Sequence, residues 1–182
     1  MTTDDWLIGG RERRPIVIAP YDPAWPTRFA HEAACVTDAL GPLGRRVEHI
    51  GSTSVPGLGA KPIIDILVVV DDVDDARIGD ALERAGYVLR VREPGHRMFR
   101  RPDRSVHVHL WPAGSEDVRR QLLFRDRLRA DAADRARYES VKRDLAQRDW
   151  DDMNDYADAK SSVVAEITAH AEEWAARTGW TA

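Results

Sequence analysis

The eight-residue run IIDILVVV at positions 63–70 constrains this chain more than any other feature, because Asp65 is its single polar residue. An unbroken apolar strand fits a sheet covered on both faces, where no side of the strand meets water. An ionised carboxylate inside such a strand is costly unless it has a partner. Residues 45–50 read as a short strand ending at the turn Gly51-Ser52, and a Pro/Gly-rich loop carrying Lys61 joins the two. A buried acid beside a glycine turn points to a site for a metal, a phosphate, or both.

Composition removes several classes. With 182 residues, 43% of them hydrophobic, the chain reads as one globular domain over 15–182, preceded by a mobile tail at 1–14. No segment approaches the roughly 18 apolar residues of a membrane span, so no membrane partner is expected. The opening MTTDDWLIGG has no apolar leader core, and a cytoplasmic protein is expected. Cys35 is the single cysteine, which excludes an internal disulfide and a cysteine-based zinc cluster. A net charge of −4 argues against an extended nucleic-acid surface but leaves room for a local basic pocket. Nothing in the sequence sets an oligomeric state.

The elements follow from period and punctuation. Residues 16–18 suggest a short strand, and Asp22-Pro23 a helix start, with Asp22 as N-cap, running to about Leu40 and stopping at Gly41-Pro42. An acidic-capped helix after position 71 closes at Gly86. Residues 87–91, 96–101 and 105–111 read as three strands, completing a sheet core over 15–112. Residues 115–178 are helical in pattern, with three helices broken near Ala130 and Asp151.

Two further groups carry chemistry. In the VHVHL segment, alternation puts His107 and His109 on one strand face, from which both can reach one metal ion. A solvated strand face carrying two polar residues competes with that reading. Of the 27 basic Lys and Arg residues, only Lys61, Lys142 and Lys160 are lysines. A compact ammonium suits a single phosphate oxygen where the wide arginine fork does not. Codon bias with three leftovers explains the count equally well. Tyr138 and Lys142 are spaced i, i+4, as are Tyr156 and Lys160, so each pair shares a helix face and makes either a phosphate clamp or a packing seam. Arg97 and Arg100 are less specific in so arginine-rich a chain.

The segments VEHIGSTSVPGLGAKPIIDILVVV, VHVHLWP, LLFRDRLR, YESVKRDLA and YADAKSSVV together resemble the GrpB family, a branch of the nucleotidyltransferase-fold superfamily. The resemblance covers nearly the whole chain. It implies an α+β fold: a nucleotidyltransferase-like mixed β-sheet flanked by helices, with a C-terminal helical portion closing over the site. It also implies that Gly51, Ser52 and Thr53 hold phosphate with Lys61, Lys142, Tyr156 and Lys160, while Asp65 is the catalytic acid and a metal ligand. The superfamily's second acid falls at position 67, here Leu67, and its third on the strand carrying His107 and His109. One acid and two imidazoles suit Mn²⁺ or Zn²⁺ better than Mg²⁺.

Three functions stay open. The first is an enzyme that binds a nucleotide or phosphorylated small molecule with a divalent metal (Mn, Zn or Mg) and transfers a nucleotidyl group to a small molecule or protein. The second is a catalytically inactive nucleotide- or coenzyme-binding module linked to coenzyme A metabolism. This chain has no GxxxxGK[ST] loop and is not itself the kinase of that pathway. A metal-dependent hydrolase ranks third, because Glu48 and His49 are only neighbours in sequence.

Overall fold

The computed structural model describes residues 6–10 and 12–182. Its centre is a five-stranded mixed sheet. The strands are β1 (Arg46–Ile50), β2 (Ile64–Val70), β3 (Val88–Glu93), β4 (His96–Arg100) and β5 (Val106–Pro112), in the order β1-β2-β5-β4-β3. β2 pairs antiparallel with β1 and parallel with β5, which pairs antiparallel with β4. The strands lie within one or two residues of their predicted bounds, the largest difference being β3, which runs two residues further, to Glu93. Tyr87, one residue before it, is buried with its hydroxyl donating to Glu32 Oε2 at 2.6 Å.

The apolar run is explained by cover on both faces. Ile64, Ile66, Val68 and Val70 pack against α1 (Trp25–Leu40) and α2 (Ala76–Arg84) in one core. Leu67 and Val69 point the other way, into a second core with Trp111, Val118 and Leu122 beneath α3 (Glu116–Ala130). Asp65 belongs to that second face, at its open end. Three more helices complete the cover: α4 (Ala132–Ala146), α5 (Met153–Asp158) and α6 (Ser161–Thr178).

Four expectations need correction. Helix α1 begins at Trp25 with Ala24 as N-cap, not at Asp22-Pro23. A start at Pro23 would require an N–H from Pro26, which proline lacks. Asp22 instead forms the turn ahead of the helix, accepting from Ala24 N–H at 2.9 Å and, through its carbonyl, from Trp25 N–H at 3.0 Å. Residues 16–18 form no strand; the segment makes only the Ala19–Ala60 bridge, bracketed by Pro15 and Pro20, which have no N–H to give a ladder. The C-terminal portion has four helices, not three, because the chain breaks again at Ala159-Lys160.

The fourth correction concerns the expected tail. Leu7 bridges Val91, and Ile8 N–H donates to Arg90 O at 2.8 Å. Arg90 returns guanidinium hydrogen bonds to the carbonyls of Ile8 and Gly10. Glu12 binds Arg100 at 2.7 Å, and its N–H donates to Asp152 Oδ2 at 3.2 Å. The described part of the segment is therefore held against the sheet edge.

Candidate metal and phosphate site

β1 ends against β2 with Ile50 opposite Asp65, so the turn that follows lies over the carboxylate. Gly51 has φ +69°, ψ −176°, a conformation open essentially to glycine alone. A Cβ there would also collide with Asp65 Oδ2. The tight 3₁₀ turn Ser52–Ser54 is pinned by Ser54 Oγ donating to Gly51 O at 2.6 Å. Thr53 is 1% exposed; its hydroxyl donates to Ile63 O at 2.9 Å and meets His49 Nε2 at 3.1 Å. Thr53 thus braces the turn with its hydroxyl, while the residue itself lines the cavity described below. His49 stacks on Phe29 at 4.5 Å on the α1 side, and burial pushes its pKa down to about 4.

Asp65 sits opposite His107 in the parallel β2–β5 ladder, with His109 two residues on along the same face. His107 Nδ1 is 3.2 Å and His109 Nε2 3.6 Å from Asp65 Oδ1, and the three ligand atoms lie within 4.8 Å of one another. Ligands about 2.0–2.1 Å from a tetrahedral ion stand roughly 3.3 Å apart, so the donor spacing fits a divalent transition metal. Burial alone would raise the Asp65 pKa, but hydrogen bonds from both histidines outweigh it and hold the carboxyl well below the usual range. The group is an anion at neutral pH.

Beyond His109 runs a chain the sequence reading missed. His109 Nδ1 lies 3.1 Å from His96 Nε2, and His96 Nδ1 lies 2.5 Å from Glu93 Oε1. Trp111 stacks on both rings, with centroids 4.6 Å from His96 and 5.4 Å from His109. If Glu93 accepts from His96 Nδ1–H, then His96 Nε2 accepts from His109 Nδ1–H. His109 then faces Asp65 through Nε2, as a hydrogen-bond donor when that nitrogen carries a proton and as a lone pair for an ion when it does not. Burial, reinforced by His109, depresses the His96 pKa.

A cavity of about 190 Å³ opens between this cluster and the C-terminal helices, and Gly51, Ser52, Lys61, Tyr156 and Lys160 all line it. Lys142 donates to Ser52 Oγ at 3.0 Å and Gly59 O at 2.5 Å. Desolvation lowers all three lysines, Lys142 to about 7 and Lys160 to about 8. Lys61 and Lys160 flank the Tyr156 ring at 5.1 and 4.7 Å from its centroid. The Tyr156 hydroxyl is buried with no hydrogen-bond partner among the described residues. Tyr156 and Lys160 do not share one helix, because α5 ends between them, yet the ammonium still lies over the ring. Lys142 and Tyr138 do share α4, at 4.8 Å.

Other residues are spoken for. Leu67 is fully buried in the second core, leaving no carboxylate where a second acid would stand. Glu48 is bound by Arg125 at 2.8 Å and Arg46 at 3.0 Å, too committed to act as a base. Arg97 pairs with Asp74, and Arg100 with Glu12. No helix among the described residues is long and apolar enough to cross a membrane.

The mixed sheet, its glycine turn over a strand acid and its helical cover define a nucleotidyltransferase-like α+β fold. The Cid1 poly(U) polymerase structure with MgGTP is similar over 72% of this chain and 45% of its own, with TM-score 0.51 and 14% identity. The chain belongs to the GrpB family: the family model "GrpB protein" matches residues 15–170. The crystal structure of the conserved protein GrpB from Enterococcus faecalis superimposes with TM-score 0.77 at 34% identity, covering 87% of this chain and 99% of that one. A UPF0157 protein of Streptomyces coelicolor is 54% identical over 166 residues, 91% of this chain and 89% of that protein. A dephospho-CoA kinase of Mycobacterium leprae is 32% identical over 199 residues, of which the chain spans about half, 48%.

Proposed function

We propose that this protein binds the phosphate groups of a nucleotide in the cradle formed by Gly51, Ser52, Lys61, Lys142, Tyr156 and Lys160. One divalent ion is held beside them by Asp65, His107 and His109, and a nucleotidyl group passes to a small-molecule or protein acceptor. The observation that carries this reading is the meeting of two incomplete sets in one cavity. Three metal-ligand atoms lie within 4.8 Å of one another, and the same cavity is lined by three desolvated lysines and by Tyr156, whose buried hydroxyl has no partner among the described residues. Buried polar groups of this kind are costly unless a ligand satisfies them.

The ion supplies Lewis-acid polarisation of a phosphoryl oxygen. The protein's part is positional. The absent side chain at Gly51 lets the turn pack directly over the Asp65 carboxylate, and Lys142 holds Ser52 Oγ while keeping donor capacity for phosphate. Two imidazoles favour Mn²⁺ or Zn²⁺ over Mg²⁺. Pyrophosphate release from a nucleoside triphosphate in the presence of Mn²⁺, lost in Asp65→Asn, tests the reading directly. Leu67 favours a second reading, a binding module without turnover, because it removes the carboxylate that would bridge two ions. Saturable Mn²⁺-dependent nucleotide binding with no pyrophosphate release selects the module.

A further inference from the structure

A second and larger cavity, of about 410 Å³, lies on the other side of the Gly51-Ser52 turn, between α3, α4 and α6. It takes no part in metal or phosphate binding as described above. Gly51, Ser52 and Tyr138 line both cavities, so the two spaces adjoin at that turn. We infer that this cavity receives the nucleoside of the bound nucleotide, with the base lodged beside Phe124; the assignment rests on the phosphate reading above.

The lining matches that chemistry. Phe124, Leu128 and Val164 form the apolar side, and the Phe124 ring is held edge-on to Tyr138 at 5.3 Å, which fixes its plane. Gln121, one turn from Phe124 on α3, and Thr168, one turn from Val164 on α6, interrupt that apolar lining, each able to donate and accept a hydrogen bond, and Asp117, Arg120 and Arg125 add charge around it. A flat heterocycle with apolar faces and a mixed donor–acceptor edge can use both the apolar and the polar groups of this lining. A bare phosphate or small sugar phosphate would leave the apolar wall wet, and an acyl chain would leave Gln121 and Thr168 unmatched. The volume falls in the range of about 300–1,000 Å³ usual for small-molecule pockets, whereas the phosphate cavity alone is too small for a whole nucleotide.

The test compares inorganic tripolyphosphate with ATP, GTP, CTP and UTP by titration calorimetry in Mn²⁺. At least one nucleotide should bind about 10-fold or more tighter than tripolyphosphate, the worth of one base–aromatic contact. Phe124→Ala should erase that difference and leave tripolyphosphate affinity within about twofold. Thr168→Trp, which fills the cavity from the half-exposed α6 side and removes no packing, should do the same if Phe124→Ala fails to fold. Lys142→Ala should weaken all five ligands together. Tripolyphosphate binding as tightly as every nucleotide, or an unchanged difference in Thr168→Trp, overturns the nucleoside assignment and leaves the phosphate site standing. Absence of tripolyphosphate binding overturns both.

Discussion

His96 Nε2 stands 3.1 Å from His109 Nδ1, with Trp111 stacked on both rings, so the orientation of a candidate ligand is set by a residue on the neighbouring strand. Second partners of this kind change metal affinity by about 10–100-fold when removed. His96→Ala should therefore weaken Co²⁺ or Mn²⁺ binding by that order. His96→Gln, whose amide oxygen can accept the same hydrogen bond, should recover part of it. A Co²⁺ titration followed by visible absorption reads both; equal affinity in His96→Ala and the native protein would show that Glu93 and His96 do not position the ligand.

Gly51→Ala should damage the site twice over. The positive φ costs a non-glycine residue on the order of 1–3 kcal/mol, and the new methyl strikes the Asp65 carboxylate. A lower urea midpoint together with lost metal affinity is expected. Gly57→Ala, also at positive φ (+79°) but with nothing within 4 Å of the added Cβ, is the control, losing stability while keeping metal affinity.

Tyr156→Phe separates ligand binding from folding. Its hydroxyl has no partner among the described residues, so removing it deletes a desolvated polar group and breaks no hydrogen bond. Stability should hold or rise slightly, while tripolyphosphate binding weakens by about 1.5–3 kcal/mol, the scale of a hydrogen bond to a charged group. A variant clearly less stable than the native protein would mean the hydroxyl serves the fold.

The lysines give a pH signature whose sign is fixed by desolvation. Lys142 titrates near 7 in the folded protein and near its ordinary 10.5 when unfolded, so between those values the unfolded chain binds more protons. Stability of the ligand-free protein should accordingly gain from this group as pH rises from about 7 towards about 10.5. Phosphate binding reverses the preference by favouring the charged amine. Near pH 7.5, nucleotide binding should take up protons, visible as a dependence of calorimetric heat on the ionisation enthalpy of HEPES or Tris. Heats independent of buffer would argue that the lysines are already fully charged.

What could be read in advance followed the range of each signal. The buried strand, the glycine turn and the His107/His109 face are set by local alternation and turn chemistry. The structure brings Asp65 to those histidines because parallel pairing puts β5 beside β2. His96 and Glu93 were not legible, since their approach depends on the hairpin register that sets Met98 opposite His109. The bracing role of the Thr53 hydroxyl was not legible either, because its acceptor, Ile63 O, lies ten positions away. The helix start moved from Pro23 because two prolines three apart compete for one first turn. The break before Lys160 carries no proline or glycine to announce it.

Glu12 has a consequence for the cavity. Its carboxylate holds Arg100 on β4, while its amide rests on Asp152, the cap that starts the short helix bearing Tyr156. One residue near the beginning of the chain thereby ties the distal hairpin to the wall around a bound anion. Loosening that tether would be felt as weaker ligand retention at a distance, with every cradle side chain intact.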